Sequence, residues 1–133
     1  MHMNATALTC TAALGLMLFA LGFAVSGQRF RDRTLSGHVS NSEALLCKLI
    51  RAHGNTAEYA PFLAVLFLFL GAHNPPQWVV WSMAGATVSR FLVVLGLLLW
   101  PSMTKPNPAR FMGAIGTYVF GAVLCLALFN AGV

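Results

Sequence analysis

The sequence predicts an all-α membrane protein, a bundle of four transmembrane helices that forms a single domain over residues 1–133. Of its 133 residues, 58% are hydrophobic and only 8% are charged, whereas a soluble domain carries about 25% charged residues. Residues 1–28, 59–89 and 111–133 contain no charged side chain. A spanning helix needs about 20 mostly apolar residues. These runs also lack the alternation of apolar and polar residues that membrane barrels show.

Prolines separate the later helices. Pro75 and Pro76 lie between the second and third helix, and Pro101, Pro106 and Pro108 lie between the third and fourth. Proline ends helices because it lacks a backbone N–H and clashes with the preceding turn. A polar loop follows the first helix and is either irregular or a short surface helix. We predict the four helices at about residues 5–26, 46–71, 77–100 and 108–131, with that loop over residues 27–41.

The first helix has an alternative interpretation as a cleaved signal peptide. It lacks a basic start, however, and its apolar stretch of about 22 residues exceeds the usual 7–15. A transmembrane helix is the better interpretation.

Basic residues predict the orientation of the helices in the membrane. They lie around the first and third connections and are absent from the second connection and both tails. The positive-inside rule therefore places loops one and three in the cytoplasm and both termini outside. The net charge of +5 indicates contact with anionic membrane lipid. Nucleic acid is not an expected partner, because no stretch interleaves basic and aromatic residues. The basic residues concerned are Arg29, Arg31, Arg33 and Lys48 around loop one, and Lys105 and Arg110 around loop three.

Neither the cysteines nor the histidines indicate a metal site. Cys10, Cys47 and Cys125 form no CxxC pair, which argues against zinc and thioredoxin-like chemistry. The four histidines do not pair between helix centres, as a bis-histidine haem would require. We therefore expect no metal. Cys47 lies beside Lys48 and is the one cysteine with an alternative interpretation, as a reactive thiol.

The second helix carries the candidate site. Arg51, Asn55 and Glu58 stand at positions i, i+4 and i+7, so they share one helical face, and Tyr59 flanks them. Ionisable groups at membrane depth cost about 2.5–3.5 kcal/mol each on insertion scales. These side chains should therefore face a partner or a wet cavity. A purely structural role in holding helices together is the alternative.

Arg90 is the only charged residue of the third helix. Glu58 lies twelve residues and Arg90 ten residues from the cytoplasmic end of its predicted helix, which is about 18 and 15 Å at 1.5 Å per residue. An unpaired buried charge costs far more than a paired one. The similar depth therefore predicts a structural ion pair between Glu58 and Arg90, with direct contact of Arg90 to a ligand as the alternative.

Arg110 opens the fourth helix, where it could snorkel to lipid head groups or contact a ligand. Tyr118, two turns further along, is interpreted as a packing residue. Arginines grip carboxylates through bidentate hydrogen bonds, and Glu accepts hydrogen bonds from an ammonium group. A site of Arg, Asn, Glu and Tyr therefore suits a small zwitterion with several carboxylates, and a thiol peptide such as glutathione is one case.

The stretch from Arg51 to Phe62, Arg-Ala-His-Gly-Asn-Thr-Ala-Glu-Tyr-Ala-Pro-Phe, resembles the signature of the membrane-associated proteins in eicosanoid and glutathione metabolism, the MAPEG family. The length, the four helices, the long first loop and the arginines of helices three and four are similar as well, as in bacterial-type members. The resemblance implies a homotrimer in a bacterial inner membrane. It also implies that glutathione, as co-substrate, binds between neighbouring subunits in the cytoplasmic half.

The family pattern also implies a role for each site residue. An arginine at the start of helix four favours the glutathione thiolate, and Arg110 is its match as the catalytic residue, since a nearby cation lowers the pKa of a thiol. An arginine late in helix one reaches the glutathione carboxylates, with Arg29 or Arg31 as candidates. Arg90 matches the arginine of helix three. The residues implied to hold the tripeptide are Arg51, Asn55, Glu58 and Tyr59.

The implied function is that of a glutathione-dependent transferase or peroxidase acting on lipophilic electrophiles. Many members carry His or Tyr in the turns after the helix-three arginine, whereas Arg90 is followed by Phe-Leu-Val-Val-Leu-Gly-Leu. A non-catalytic family member that binds a ligand or a partner is therefore the alternative. A small multidrug transporter also has four helices. Such exporters need a carboxylate in the first helix, and residues 5–26 have none.

Overall fold

The computed structural model describes residues 3–34, 41 and 44–131. It confirms the predicted all-α class: four long helices account for most of these residues, and the described ranges contain no strand. Each helix is long and apolar enough to cross a membrane. Residues 35–40 of the predicted first loop, and residues 42–43 after it, lie outside the described residues. The helices are α1 (Ala5–Arg31), α2 (Leu45–Gly71), α3 (Gln77–Leu99) and α4 (Pro108–Ala131).

The bounds of α2, α3 and α4 lie within one residue of those predicted, whereas α1 continues five residues beyond Ser26. The apolar run ends at Ser26, but apolar content marks where a helix leaves the membrane, not where it stops. No proline interrupts the residues that follow. The helix ends at the C-cap Asp32, and Arg33 then takes a left-handed conformation with φ 52°.

Two central helices, α2 and α3, hold the bundle together. α2 packs against all three other helices and so does α3, while α1 and α4 make no contact with each other within the described chain. α1 packs mainly on α2, and α4 mainly on α3. The bundle is therefore two helix pairs joined through α2 and α3.

Asparagine side chains and backbone groups fix the ends of the helices. Asn4 caps α1, since its Oδ1 accepts hydrogen bonds from the backbone N–H groups of Thr6 and Ala7 at 2.9 and 3.2 Å. The Asn4 backbone N–H donates to the Gly71 carbonyl at 3.0 Å. This bond joins the start of α1 to the end of α2. Asn74, in the turn before α3, has φ 48°, a left-handed conformation that Asn tolerates better than most residues.

Small residues let α3 and α4 approach closely. A Cβ added at Gly113 would lie 2.7 Å from the Ser89 carbonyl oxygen and 2.8 Å from the Val93 backbone nitrogen. A Cβ at Gly96 would lie 2.8 Å from the Arg110 backbone nitrogen. Helices in membranes associate largely through such close backbone packing, because burial of apolar surface gives little driving force in lipid. These glycines therefore fix the distance between α3 and α4.

The connection from α3 to α4 is anchored at both ends by buried polar side chains. Lys48 of α2 is buried, and its Nζ donates to the carbonyl oxygens of Trp100 and Pro101 at 2.8 and 3.3 Å. Asn107 is also buried. Its Nδ2 donates to the Gly96 carbonyl at 2.6 Å, and its Oδ1 accepts from the Arg110 backbone N–H at 3.1 Å. Asn107 thereby caps α4 and sets the position of Arg110 relative to α3.

We expect Gly113→Ala to destabilise the detergent-solubilised protein. The added methyl group would meet backbone atoms of α3, which cannot move aside unless the two helices separate. Overpacking of this kind costs about 1–3 kcal/mol, and the measurement is the midpoint of thermal unfolding.

Gly15→Ala is the matched control, because nothing lies within 4 Å of a Cβ at that position of α1. Alanine there should leave the midpoint unchanged or raise it, since it favours helix more than glycine does. Equal midpoints for the two variants would contradict the proposed role of Gly113 in helix packing.

Candidate functional site

Three helices each contribute one stripe of side chains to a cavity of about 120 Å³. Within each stripe the residues are three or four positions apart, which places them on one helical face. The polar members are three arginines, two tyrosines and one asparagine. We call this space the polar cavity. It is lined by Arg51, Asn55 and Tyr59 of α2, by Arg90, Val93 and Leu97 of α3, and by Arg110, Ala114 and Tyr118 of α4.

Arg90 is the most deeply placed charge of the site, with an exposed fraction of only 1%. Its Nη2 donates to the backbone oxygen of Asn55 at 3.0 Å and to the Asn55 Oδ1 at 2.6 Å. Its Cζ lies 4.9 Å from the centroid of the Tyr59 ring, within the range of a cation–π interaction. Its Nε has no hydrogen-bond partner among the described residues. The guanidinium group thus joins α3 to two residues of the α2 motif.

The structure directs Arg90 to Asn55 and Tyr59, and not to Glu58 as the sequence predicted. Glu58 is exposed. The prediction used depth alone, whereas contact also depends on direction around the helix. Successive residues rotate by about 100°, so Glu58 lies about 60° from Asn55 on one side and Tyr59 about 40° on the other. The face of α2 that meets α3 lies on the Tyr59 side, and Glu58 therefore points away from Arg90.

The other predicted binding residues differ in how they meet the polar cavity. Arg51, Asn55, Tyr59 and Arg110 all line it, so the structure brings them together. Glu58 lies beside it, in a depression of about 260 Å³ on the outer face of α2 that also includes Arg51 and Asn55. Arg110 donates from Nη1 to the Met103 carbonyl at 3.4 Å, which holds its side chain along the α3–α4 connection.

Arg29 and Arg31, at the end of α1, do not line the polar cavity. Arg31 is exposed. Arg29 is half-buried, and its Nη1 is enclosed without a hydrogen-bond partner among the described residues. Because α1 does not contact α4 within the described chain, neither arginine reaches the part of the cavity that Arg110 lines. The structure of one subunit therefore leaves both candidates outside this site.

Tyr118, for which the sequence predicted a packing role, belongs to the candidate site. It lines the polar cavity and is more than half exposed. Its ring centroid lies 6.0 Å from that of Tyr59, with the rings inclined by 53°. The signal that could have found it was in the sequence: Arg110, Ala114 and Tyr118 stand four residues apart, the spacing that placed Arg51 and Asn55 on one face.

An apolar groove of about 360 Å³ adjoins the polar cavity between α2 and α4. Phe62, Leu63 and Leu66 form its α2 wall, and Gly121 and Ala122 leave room on the α4 side. The Thr117 hydroxyl, also in the lining, donates to the Gly113 carbonyl at 2.8 Å, so it adds little polarity. The site therefore consists of a cationic part and an apolar part side by side. The remaining lining residues of this groove are Glu58, Tyr59, Tyr118 and Cys125.

The four apolar helices, each long enough to span a membrane, define an integral membrane protein, and three of them line a cavity that contains three arginines. Comparison with known families identifies the protein further. The model of the MAPEG family matches residues 7–130, and the chain belongs to this family. Its members are membrane proteins related to glutathione or eicosanoid metabolism. Searches of curated proteins and of solved structures found no match.

We expect Asn55→Leu to lower the free energy of unfolding, because it removes an acceptor from a buried guanidinium group. Hydrogen bonds to charged groups contribute about 1.5–3 kcal/mol. Denaturation of the detergent-solubilised protein in the absence of ligand would measure the change.

Two variants serve as controls. Asn55→Asp keeps an acceptor for Arg90 and should lose much less stability than Asn55→Leu. Glu58→Gln changes an exposed residue that does not contact Arg90 and should stay close to wild type. A loss in Glu58→Gln as large as that in Asn55→Leu would support the ion pair instead.

Proposed function

We propose that this protein is a glutathione-dependent membrane transferase or peroxidase that acts on lipophilic electrophiles. Glutathione is its co-substrate, with no metal required. The observation that carries the proposal is the charge of the polar cavity. Three arginines line it, and none of the described residues in its lining is a carboxylate. Since uncompensated charges in a water-poor site are costly, the cavity is suited to a ligand that brings negative charge.

Glutathione supplies the matching groups. It carries two carboxylates for arginines, an ammonium group for a carboxylate, and a thiol. Arg51 and Asn55 line both the polar cavity and the depression that includes Glu58. A tripeptide lying across these two spaces would place a carboxylate at Arg51 and its ammonium group at Glu58. Tyr59 and Arg90 would bound it on the inner side.

The size of the polar cavity supports a site completed by a neighbouring subunit. At about 120 Å³ it is smaller than the roughly 300–1,000 Å³ of typical ligand pockets. Glutathione would therefore extend onto the outer face of α2, where Arg51 and Glu58 are exposed. Charged side chains within a spanning segment must be shielded from contact with lipid. A second copy of the chain would provide this shielding, and Arg29 or Arg31 of that copy could then reach the peptide. This arrangement agrees with the homotrimer implied by the family pattern.

Arg110 is the proposed catalytic residue. The thiolate is the reactive form of glutathione, and a nearby cation lowers the pKa of a thiol. Asn107 fixes the start of α4 to Gly96 of α3, so the backbone that carries Arg110 is held firmly. The apolar groove is the proposed site of the second substrate, because it opens beside the polar cavity between α2 and α4.

One observation favours a second candidate function, that of a non-catalytic member which binds a ligand or a partner. Val93 and Leu97, one and two turns after Arg90, line the polar cavity. They present hydrocarbon where many members of the family carry His or Tyr. Binding without turnover would support this candidate.

Isothermal titration calorimetry of the detergent-solubilised protein, kept in its native oligomeric state, with glutathione tests the binding site. We expect Arg51→Ala to weaken binding by about tenfold or more, because loss of a charge-assisted hydrogen bond costs about 1.5–3 kcal/mol. Lys105→Ala is the matched control, since it removes an exposed cation that does not line the polar cavity. Absence of glutathione binding in the wild type would contradict the proposal.

Arg110→Ala should slow glutathione conjugation much more than it weakens glutathione binding. The cation acts mainly on the ionised sulfur, and an interaction that matters most after ionisation appears in the rate rather than in affinity. Ultraviolet difference absorbance of the thiolate, followed across a pH series, should show a higher thiol pKa in the variant. An unchanged thiol pKa would make Arg110 a lipid-contacting residue, and Lys105→Ala again serves as control.

We also propose that loops one and three face the cytoplasm, with both termini outside, in a bacterial inner membrane. The support is the placement of Lys and Arg around these loops. Reporter fusions should read cytoplasmic after Thr34 and external after Asn74. A cytoplasmic signal after Asn74 would contradict this orientation and place the polar cavity at the opposite membrane face.

A further inference from the structure

Among the described residues, the polar cavity and the apolar groove share two in their linings, Tyr59 and Tyr118. Their rings lie side by side, with centroids 6.0 Å apart. If glutathione occupies the polar cavity and an apolar electrophile occupies the groove, the two substrates meet at this tyrosine pair. Groups that act on the reacting atoms must therefore be found here.

The two tyrosines differ in what else they contact. Tyr59 presents the face of its ring to the guanidinium group of Arg90 and belongs to the motif that would hold the peptide. Tyr118 comes from α4, where Thr117 and Gly121 beside it line the groove. On the α3 side, Val93 and Leu97 offer no hydrogen-bond donor. Where the polar cavity meets the apolar groove, Tyr118 is thus the hydrogen-bond donor on the side of the groove, where the electrophile would lie.

The direction of α4 in the bundle determines which way the Tyr118 side chain is inclined. Helical side chains tilt toward the N-terminus of their helix, and α4 begins at Pro108, two residues before Arg110. The Tyr118 phenol therefore leans from the groove toward the polar cavity. Eight residues separate Tyr118 from Arg110, about 12 Å along the helix. The two side chains can act on different atoms, Arg110 on the thiolate and Tyr118 on the electrophile.

We propose that Tyr118 is a catalytic residue that donates a hydrogen bond, and then a proton, to an oxygen atom of the electrophile. This inference rests on the proposed glutathione-dependent function. It assigns the preferred substrates to one class, apolar molecules in which attack at carbon leaves negative charge on an attached oxygen. Epoxides are an example. In the groove, which is apolar, the Thr117 hydroxyl already donates to the Gly113 carbonyl, and the Cys125 thiol is only a weak donor. The Tyr118 phenol is therefore the strongest neutral donor that α4 offers to a developing alkoxide.

The step balances with an epoxide as substrate. Glutathione first loses its thiol proton to solvent. The thiolate sulfur attacks one epoxide carbon, the carbon–sulfur bond forms, and the carbon–oxygen bond at that carbon breaks. The oxygen takes the electron pair of the broken bond together with the Tyr118 phenolic proton. Solvent then returns a proton to the tyrosinate, and the product is a thioether alcohol.

Tyr118→Phe tests the inference with two electrophiles. With styrene oxide the oxygen of the broken bond must gain a proton. With 1-chloro-2,4-dinitrobenzene the negative charge passes only transiently into the ring and its nitro groups, and chloride leaves without a proton. We expect kcat with the epoxide to fall by about 10²-fold, the lower end of the range for a general acid. Turnover of the aryl chloride and the affinity for glutathione should change little. Val119→Ala, at an exposed neighbour that lines neither cavity, is the matched control and should behave as wild type.

Three outcomes would overturn the inference. Full activity of Tyr118→Phe toward the epoxide, or an equal loss with both electrophiles, would show that the phenol does not transfer a proton to the epoxide oxygen while leaving the proposed function in place. Wild-type turnover of the aryl chloride without turnover of the epoxide would reject the substrate class. Wild-type protein that turns over neither electrophile would overturn the proposed catalytic function and this inference together.

Discussion

The burial of one guanidinium group constrains the rest of the structure. Arg90 lies within a spanning helix and is almost completely inaccessible, so water cannot solvate it and the protein must supply its partners. It finds them on α2, in the two oxygens of Asn55 and the ring face of Tyr59. Removing the partners of a buried charge is strongly destabilising. The contact therefore fixes how α2 is rotated against α3, and with it the direction of every other polar residue in the motif.

A second constraint places α4. Gly113 and Gly96 allow the α3 and α4 backbones to approach so closely that even a methyl group would not fit. Asn107 bridges the same two helices where the end of α3 meets the start of α4. Once α3 is fixed to α2 by Arg90, this packing brings the α4 stripe from Arg110 to Tyr118 opposite the α2 stripe. The polar cavity is the space that remains where the three stripes meet, and α1 takes no part in it.

Much of this could be predicted from the sequence, because helices in a membrane follow simple rules. Runs without charge and prolines at their ends located α2, α3 and α4 to within a residue, and four-residue spacing grouped Arg51 with Asn55. The sequence predicted Glu58 as the partner of Arg90, whereas the structure places Asn55 and Tyr59 there, because similar depth does not determine the direction around a helix. The sequence also could not show whether Arg29 and Arg31 reach the polar cavity, because this depends on which helices are in contact. Within the described chain α1 does not contact α4. The site role of Tyr118 was missed, although the four-residue spacing of Arg110, Ala114 and Tyr118 places them on one helical face, as it does for Arg51 and Asn55.

The polarity of the site changes along α2 and α4 together. Near the start of both helices the lining is cationic, with Arg51 and Arg110, and further along it becomes hydrocarbon, with Leu66 and Ala122. A ligand with charge at one end and hydrocarbon at the other could span this gradient, but so could two ligands placed end to end. The tyrosine pair favours two, because in the described part of the chain these two rings form the shared lining of the polar cavity and the apolar groove. Aromatic side chains with a polar tip suit such a boundary, since each ring can pack against hydrocarbon while its hydroxyl reaches the charged side. Under the proposed function, this arrangement would separate a charged substrate from an apolar one and bring their reacting atoms together at the tyrosine pair.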